Sequence, residues 1–258
     1  MTIADWRPVE LQLDRFEEAG RHVRFWLRDD DAVEPTAALD RLIDLCNRHR
    51  VPLLLAVIPE PATEGLAKRI DGLSLIQPCQ HGFSHRNHAA EGQRACELGG
   101  IRPMATVLDD LARGQARLHG LFGQSLRPIL VPPWNRIDPA LAPHLPSAGF
   151  QGLSTFGRKP VETEGSLIEI NAHLDIINWR QGRIGRDHTD LIGKLVAELE
   201  FAFDNDAPTG VLGHHLVHDE IAWGFLEDML AMTGRHSCVR WISTDELLGD
   251  RARNASTA

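Results

Sequence analysis

From His22 onward the chain alternates short runs of β-forming residues with longer runs at helical spacing, and this constrains the fold more than any other feature. "HVRFWLR" (22–28) reads as extended, and the apolar residues of "PTAALDRLIDLCNRH" (35–49) recur along one helix face. "VPLLLAVI" (51–58) reads as a buried strand, "EPATEGLAKRI" (60–70) as a short helix, and "LSLIQP" (73–78) as a third strand. "MATVLDDLARGQARLHGLFG" (104–123) predicts an amphipathic helix with Leu108, Leu111, Leu118 and Leu121 close to one face. "RPILVP" (127–132) and "IEINAHLDIINW" (168–179) are extended, "HTDLIGKLVAELEFAFDN" (188–205) is helical, and "TGVLGHH" (209–215) is a strand. A closing helix and strand end in "CVRWIS" (238–243). Strands separated by helices imply right-handed βαβ units and a mainly parallel sheet, and about seven such units fit an α/β barrel. The expected organisation is one domain over residues 1–250 and a disordered tail at 251–258.

The formal net charge of −9, with no block of Lys or Arg, argues against a nucleic-acid or anionic-membrane partner. The longest apolar run, "VPLLLAVIP" (51–59), is too short to span a bilayer. "MTIADWRPVELQLDRFEE" has no apolar signal-peptide core, so a cytoplasmic location is expected. The cysteines at 46, 79, 96 and 238 form no C-x-x-C pair, which suggests neither a zinc ribbon nor a disulfide framework. Oligomeric state is not legible in the sequence.

Parallel α/β barrels carry their chemistry at the carboxyl ends of the strands. Four clusters fall there: "DDD" (29–31), "HGFSH" (81–85), "PPWN" (132–135) and "GHH" (213–215). Adjacent aspartates repel unless a cation compensates them, although a solvated helix-capping turn is the simpler reading of "DDDAVEPT". His81 and His85, four apart in a tight segment, can meet one cation, and His88 is either a third ligand or a bystander. Of His214 and His215, one suits a general acid, its pKa lying near neutrality, while at least one is structural.

In this order the clusters resemble the polysaccharide deacetylase family, also called the NodB-homology or carbohydrate esterase four family. The resemblance implies a distorted (β/α)₇ barrel and a divalent metal, commonly zinc, used to remove acetyl groups from N-acetyl amino sugars. The family's first motif, two aspartates then glycine, matches "DDA" (30–32) best, making Asp30 the base and Asp31 a metal ligand. A register on Asp29 and Asp30 is the alternative. The resemblance further implies His81 and His85 as metal ligands and His214, in "LGH" (212–214), as catalytic acid. Pro133 and Trp134 fall at its substrate and oxyanion wall, and Asp175 and Trp179 in "DIINW" echo an Asp-Trp motif that supports the acid. The sequence departs from the family at Val131, where an arginine is usual, and at Gly82, where serine or threonine is usual. Arg28 or Arg136 is the candidate replacement guanidinium.

The implied activity is metal-dependent hydrolysis of an amide in a small-molecule or oligosaccharide substrate. The alternatives are hydrolysis of a non-sugar amide on the same scaffold and a non-catalytic relative that binds metal or ligand.

Overall fold

The computed structural model describes residues 5–161 and 167–255. In chain order its elements are α1 (Arg7–Glu18), β1 (Val23–Ala32), α2 (Ala37–His49), β2 (Leu53–Val57), α3 (Glu64–Ile70), β3 (Ile76–His81) and α4 (Met104–Phe122). There follow β4 (Ile129–Val131), then the two-residue strands β5 (Gly152–Leu153), β6 (Ile168–Glu169), β7 (Leu174–Asp175), β8 (Ile177–Asn178) and β9 (Ile184–Gly185). The chain closes with α5 (His188–Asn205), β10 (Thr209–Gly213), α6 (Glu220–Thr233), β11 (Val239–Trp241) and α7 (Thr244–Ala255).

The chain forms two compact units. The first comprises Met1–Asp29, Ala37–Leu53 and Ala172–Ser243; the second comprises Asp30–Thr36, Leu54–Asn171 and Thr244–Ala258. In the first unit β1 pairs in parallel with β10, Phe25 opposite Thr209 and Asp29 opposite Gly213, and also with β11. β10 in turn pairs with β7, Leu212 opposite Asp175. The N-terminal sequence was read only for a signal core, yet Val9, Leu13 and Phe16 make α1 amphipathic. It packs against α5, where Phe16 meets Phe203 edge-on at 5.0 Å.

In the second unit the strand order is β2-β3-β4-β5-β6, with parallel ladders from β3 to β6 that place His81 opposite Val131. Its core gathers Leu98, Val107, Leu111, Leu130, Leu141, Leu145, Phe150 and Leu153. The buried stripe of α4 is Val107, Leu111, Leu118 and Phe122, of which Val107 and Leu111 enter this core. Leu108 packs only at its margin and Leu121 is half-buried. The four-residue steps 107–111 and 118–122 keep one face, whereas 108 and 121 fall on its two flanks.

Two further expectations change. β1 runs on through the aspartates to Ala32, whose carbonyl accepts from Ile58 N–H at 3.0 Å, so the aspartates are strand residues and not a solvated turn. The segment 168–179 is not one strand but β6, β7 and β8, with the chain turning between them. Of residues 251–258, those to Ala255 belong to α7 and 256–258 lie outside the described ones.

Candidate metal centre and histidine network

Three successive aspartates have three different surroundings. Asp31 takes a left-handed conformation (φ 74°), which breaks the regular alternation of β1 and turns its side chain toward two histidines. Its Oδ1 lies 3.1 Å from His81 Nε2 and 3.3 Å from His85 Nε2. Asp31, His81 and His85 each offer one donor atom, all within 4.8 Å of one another. Asp30 is buried. Asp29 belongs to the other unit and meets His215.

The protonation pattern around Asp31 is informative. His81 ends β3, and its Nδ1 sits 2.9 Å from the Val131 carbonyl of the neighbouring strand β4. A carbonyl only accepts, so Nδ1 carries the hydrogen, and Nε2 is the ring atom turned to Asp31. Burial, and then the neighbouring His81, push the His85 pKa below its ordinary value, against the pull of Asp31 and Glu97. Both Nε2 atoms and the Asp31 oxygen converge on one point. The set of two imidazole nitrogens and one carboxylate oxygen suits a divalent metal and leaves coordination positions open.

The walls of this centre come from strained backbone. His85 (φ 56°), Trp134 (φ 56°) and Asn135 (φ 57°) join Asp31 in the left-handed region. Such conformations in non-glycine residues gather at functional sites. Trp134 lies in the turn Pro133–Asn135 after β4, with its ring 4.4 Å from that of His85. Pro133 is buried beneath. His88 lies in the following loop, its backbone N–H bonded to Cys96 O at 2.8 Å, and is not part of the donor cluster.

Glu97 has no counterpart in the sequence reading. It is 0% exposed and accepts from Phe83 N at 3.1 Å, Ser84 N at 2.7 Å and Ser84 Oγ at 2.8 Å, in the turn between His81 and His85. "RACELGG" carries neither a period nor a motif, so no local signal marks it.

The first unit holds a second network at the end of β10. Asp175 Oδ2 accepts from Trp179 Nε1 at 2.8 Å, and Oδ1 from Ile177 N–H at 2.9 Å. Burial raises the Asp175 pKa, while the neighbouring His214 opposes the rise. The rings of Trp179 and His214 meet edge-on at 4.6 Å, so the two residues of "DIINW" and His214 are together. His215 points elsewhere. Its N–H donates to Asp29 Oδ2 at 2.8 Å, and its Nδ1 is bonded to Asp29 Oδ1, both residues fully buried. His218, unassigned from sequence, accepts the His214 N–H on Nε2 at 3.1 Å and lies edge-on to Trp223 at 4.5 Å. Gly213 permits this crowding, since a Cβ there would lie 2.8 Å from Asp29 Oδ2 and 3.2 Å from His218 Nε2.

Of the two candidate guanidiniums, Arg136 donates to Ala95 O at 2.9 Å, while Arg28 is fully buried in β1, two residues before Asp30. Val131 contributes its carbonyl, which accepts from His81 Nδ1 and, at 3.1 Å, from Gly82 N–H.

An α/β fold with an Asp-His-His donor set defines a class of metal-competent α/β proteins. Solved structures similar to this chain include a protein of Mycobacterium smegmatis named as a polysaccharide deacetylase (TM-score 0.72, 16% identity, 92% of each chain). Others are a family 4 acetyl xylan esterase from Clostridium thermocellum in complex with cobalt (TM-score 0.52, 14% identity, 88% of this chain and 90% of that one) and the peptidoglycan deacetylase PdaC from Bacillus subtilis (TM-score 0.56, 11% identity, 92% and 95%). No family model matches the sequence, and no curated protein matches it. The fold is that of the polysaccharide deacetylases, the distorted (β/α) barrel that the resemblance implies.

Proposed function

We propose that this protein is a metal-dependent amide hydrolase that removes the acetyl group from an N-acetylated sugar or a related small molecule. The observation that carries the reading is the Asp31 oxygen facing the Nε2 atoms of His81 and His85, three donor atoms converging on one point. Asp31, His81 and His85 would hold the metal, and the nitrogen-rich set favours zinc. When bound, such an ion polarises a carbonyl and lowers the pKa of water.

Each remaining step falls to the chain's own groups. Asp30 takes the proton of the attacking water. Arg28, on the same face of β1 by strand alternation, supplies the positive charge that Val131 does not. The backbone N–H of Trp134 steadies the oxygen on which negative charge develops. His214 protonates the departing nitrogen, because an amine anion is a very poor leaving group, and Asp175 supports the charge that His214 carries. Trp179, 40% exposed beside His214, offers a face on which a sugar ring can stack. Among the described residues no helix is long and apolar enough to cross a membrane. A cytoplasmic setting and a soluble acylated metabolite complete the reading.

The test combines metal analysis of the purified protein with a screen for acetate release from N-acetyl monosaccharides, their oligomers and non-sugar acetamides. Release from the sugars at full metal occupancy supports the proposal, and release confined to non-sugar amides replaces the substrate class. A second reading, metal binding without turnover, is favoured by the missing arginine at Val131. It predicts full occupancy with no acid released from any compound.

A further inference from the structure

We propose that Glu97 is a positioning residue of the metal centre, its carboxylate doing from a distant loop what a side chain at position 82 would otherwise do. The inference rests on the metal reading above.

The H-x-x-x-H turn has to place His85 Nε2 beside Asp31 while its own backbone leaves β3. Gly82 makes the turn at φ 54°, and a Cβ there would overlap Glu97 Oε2 and lie 2.6 Å from Pro133 Cδ. Position 82 and Glu97 therefore compete for one space, and Glu97 occupies it. From there both its oxygens are used: Oε2 by Phe83 N–H, Oε1 by Ser84 N–H and the Ser84 hydroxyl. All three donors lie between the two ligand histidines. Among the described residues Glu97 forms no ion pair, so a fully buried negative charge is balanced only by neutral donors. That arrangement is costly by itself, and a cation held by Asp31, His81 and His85 supplies the missing charge nearby. The carboxylate thus orders the turn and adds to the local negative potential. Its own loop is anchored: Leu98 bridges Ile137 and accepts Asp138 N–H at 2.8 Å.

Glu97→Gln tests this with almost no change in volume. An NH₂ group in place of either oxygen faces a backbone N–H of Phe83 or Ser84, donor to donor. In metal-free protein, amide hydrogen exchange at Phe83 and Ser84 is expected to accelerate while exchange in β3 and β4 holds. Competition against a chromophoric chelator is expected to show zinc or cobalt bound about 10–100-fold more weakly, the usual cost of losing a group that orients a ligand. Affinity unchanged from a wild type that binds metal overturns the role of Glu97 and leaves the hydrolase reading standing. A wild type that binds no divalent metal removes both.

A second pair of variants is independent of Glu97→Gln. Gly82→Ser alone collides with the carboxylate and with Pro133, whereas with Glu97→Ala the first and tighter of these collisions is removed. The double variant is expected to bind metal more tightly than Gly82→Ser, and strictly additive losses would show that the two positions do not share that space.

Discussion

Acidification should strike the His214 loop through a neighbour that takes no part in the chemistry. His218 is packed against Trp223, and its Nε2 accepts the backbone N–H of His214, which only a neutral imidazole can do. Burial lowers its pKa from the ordinary 6.5 to about 4, with Asp29 opposing the shift and His215 and His214 adding to it. The folded value lies below the unfolded one, so the unfolded chain binds the proton first as pH falls. The His218 contribution is therefore intact above about pH 6.5 and drains away down to about pH 4. The gap from 6.5 to about 4, at about 1.4 kcal/mol per pH unit, is worth about 3 kcal/mol. Urea unfolding between pH 7.5 and 4, on wild type and His218→Gln, isolates this amount, because carboxylate titration is common to both and a glutamine oxygen can still accept. The wild-type curve should fall more steeply, the difference growing toward about 3 kcal/mol near pH 4. Parallel curves would refute the reasoning: His218 would then titrate alike in both states.

The aspartates separate by metal content: Asp31→Asn should lose stoichiometric divalent metal and Asp29→Asn should keep it, as read by elemental analysis after desalting. The reverse result would shift the ligand register by two residues. Asp29→Ala strips a buried histidine of its partner and should cost about 3–5 kcal/mol. For a chain of this size that lowers the thermal midpoint by roughly 6–20 °C, and a loss under about 1 kcal/mol would mean that the pair contributes little. His214→Ala should lower kcat on an amide by about 10²–10⁴-fold while retaining metal, and by less on an activated ester. Equal losses on both substrates would remove it from the acid role.

Periodicity carried the larger elements well because their burial is local in origin. The helix read at 188–205 is α5 residue for residue, since its apolar face and the capping Asp187 lie in one continuous stretch. The grouping of Asp31, His81 and His85 was legible because Asp31 and His81 close β1 and β3 and His85 follows four residues on. The choice among the aspartates was not. Strand alternation predicts opposite directions for Asp30 and Asp31, but the left-handed turn of Asp31 sets its direction, and that is imposed from outside β1. Glu97 was invisible for a similar reason: its partners lie thirteen and fourteen residues back, and only the tertiary loop brings them together. The "DIINW" echo is better than the sequence alone allowed, because one turn between two-residue strands folds Trp179 back onto Asp175.

The left-handed residues around the metal centre bear on the order in which the molecule is assembled. Asp31, His85, Trp134 and Asn135 each hold a backbone state that costs an unsupported chain roughly 1–2 kcal/mol. No short peptide spanning 81–85 would populate that shape, and Asp31 arrives from a strand fifty residues earlier. On the metal reading, an ion would therefore find its donors only after the β-ladders exist, and could not nucleate them as zinc does in a finger domain. A chelated sample should keep its far-UV spectrum and its cooperative unfolding, and lose only the mass-action stabilisation RT ln(1 + [L]/Kd) that a late-arriving ligand adds.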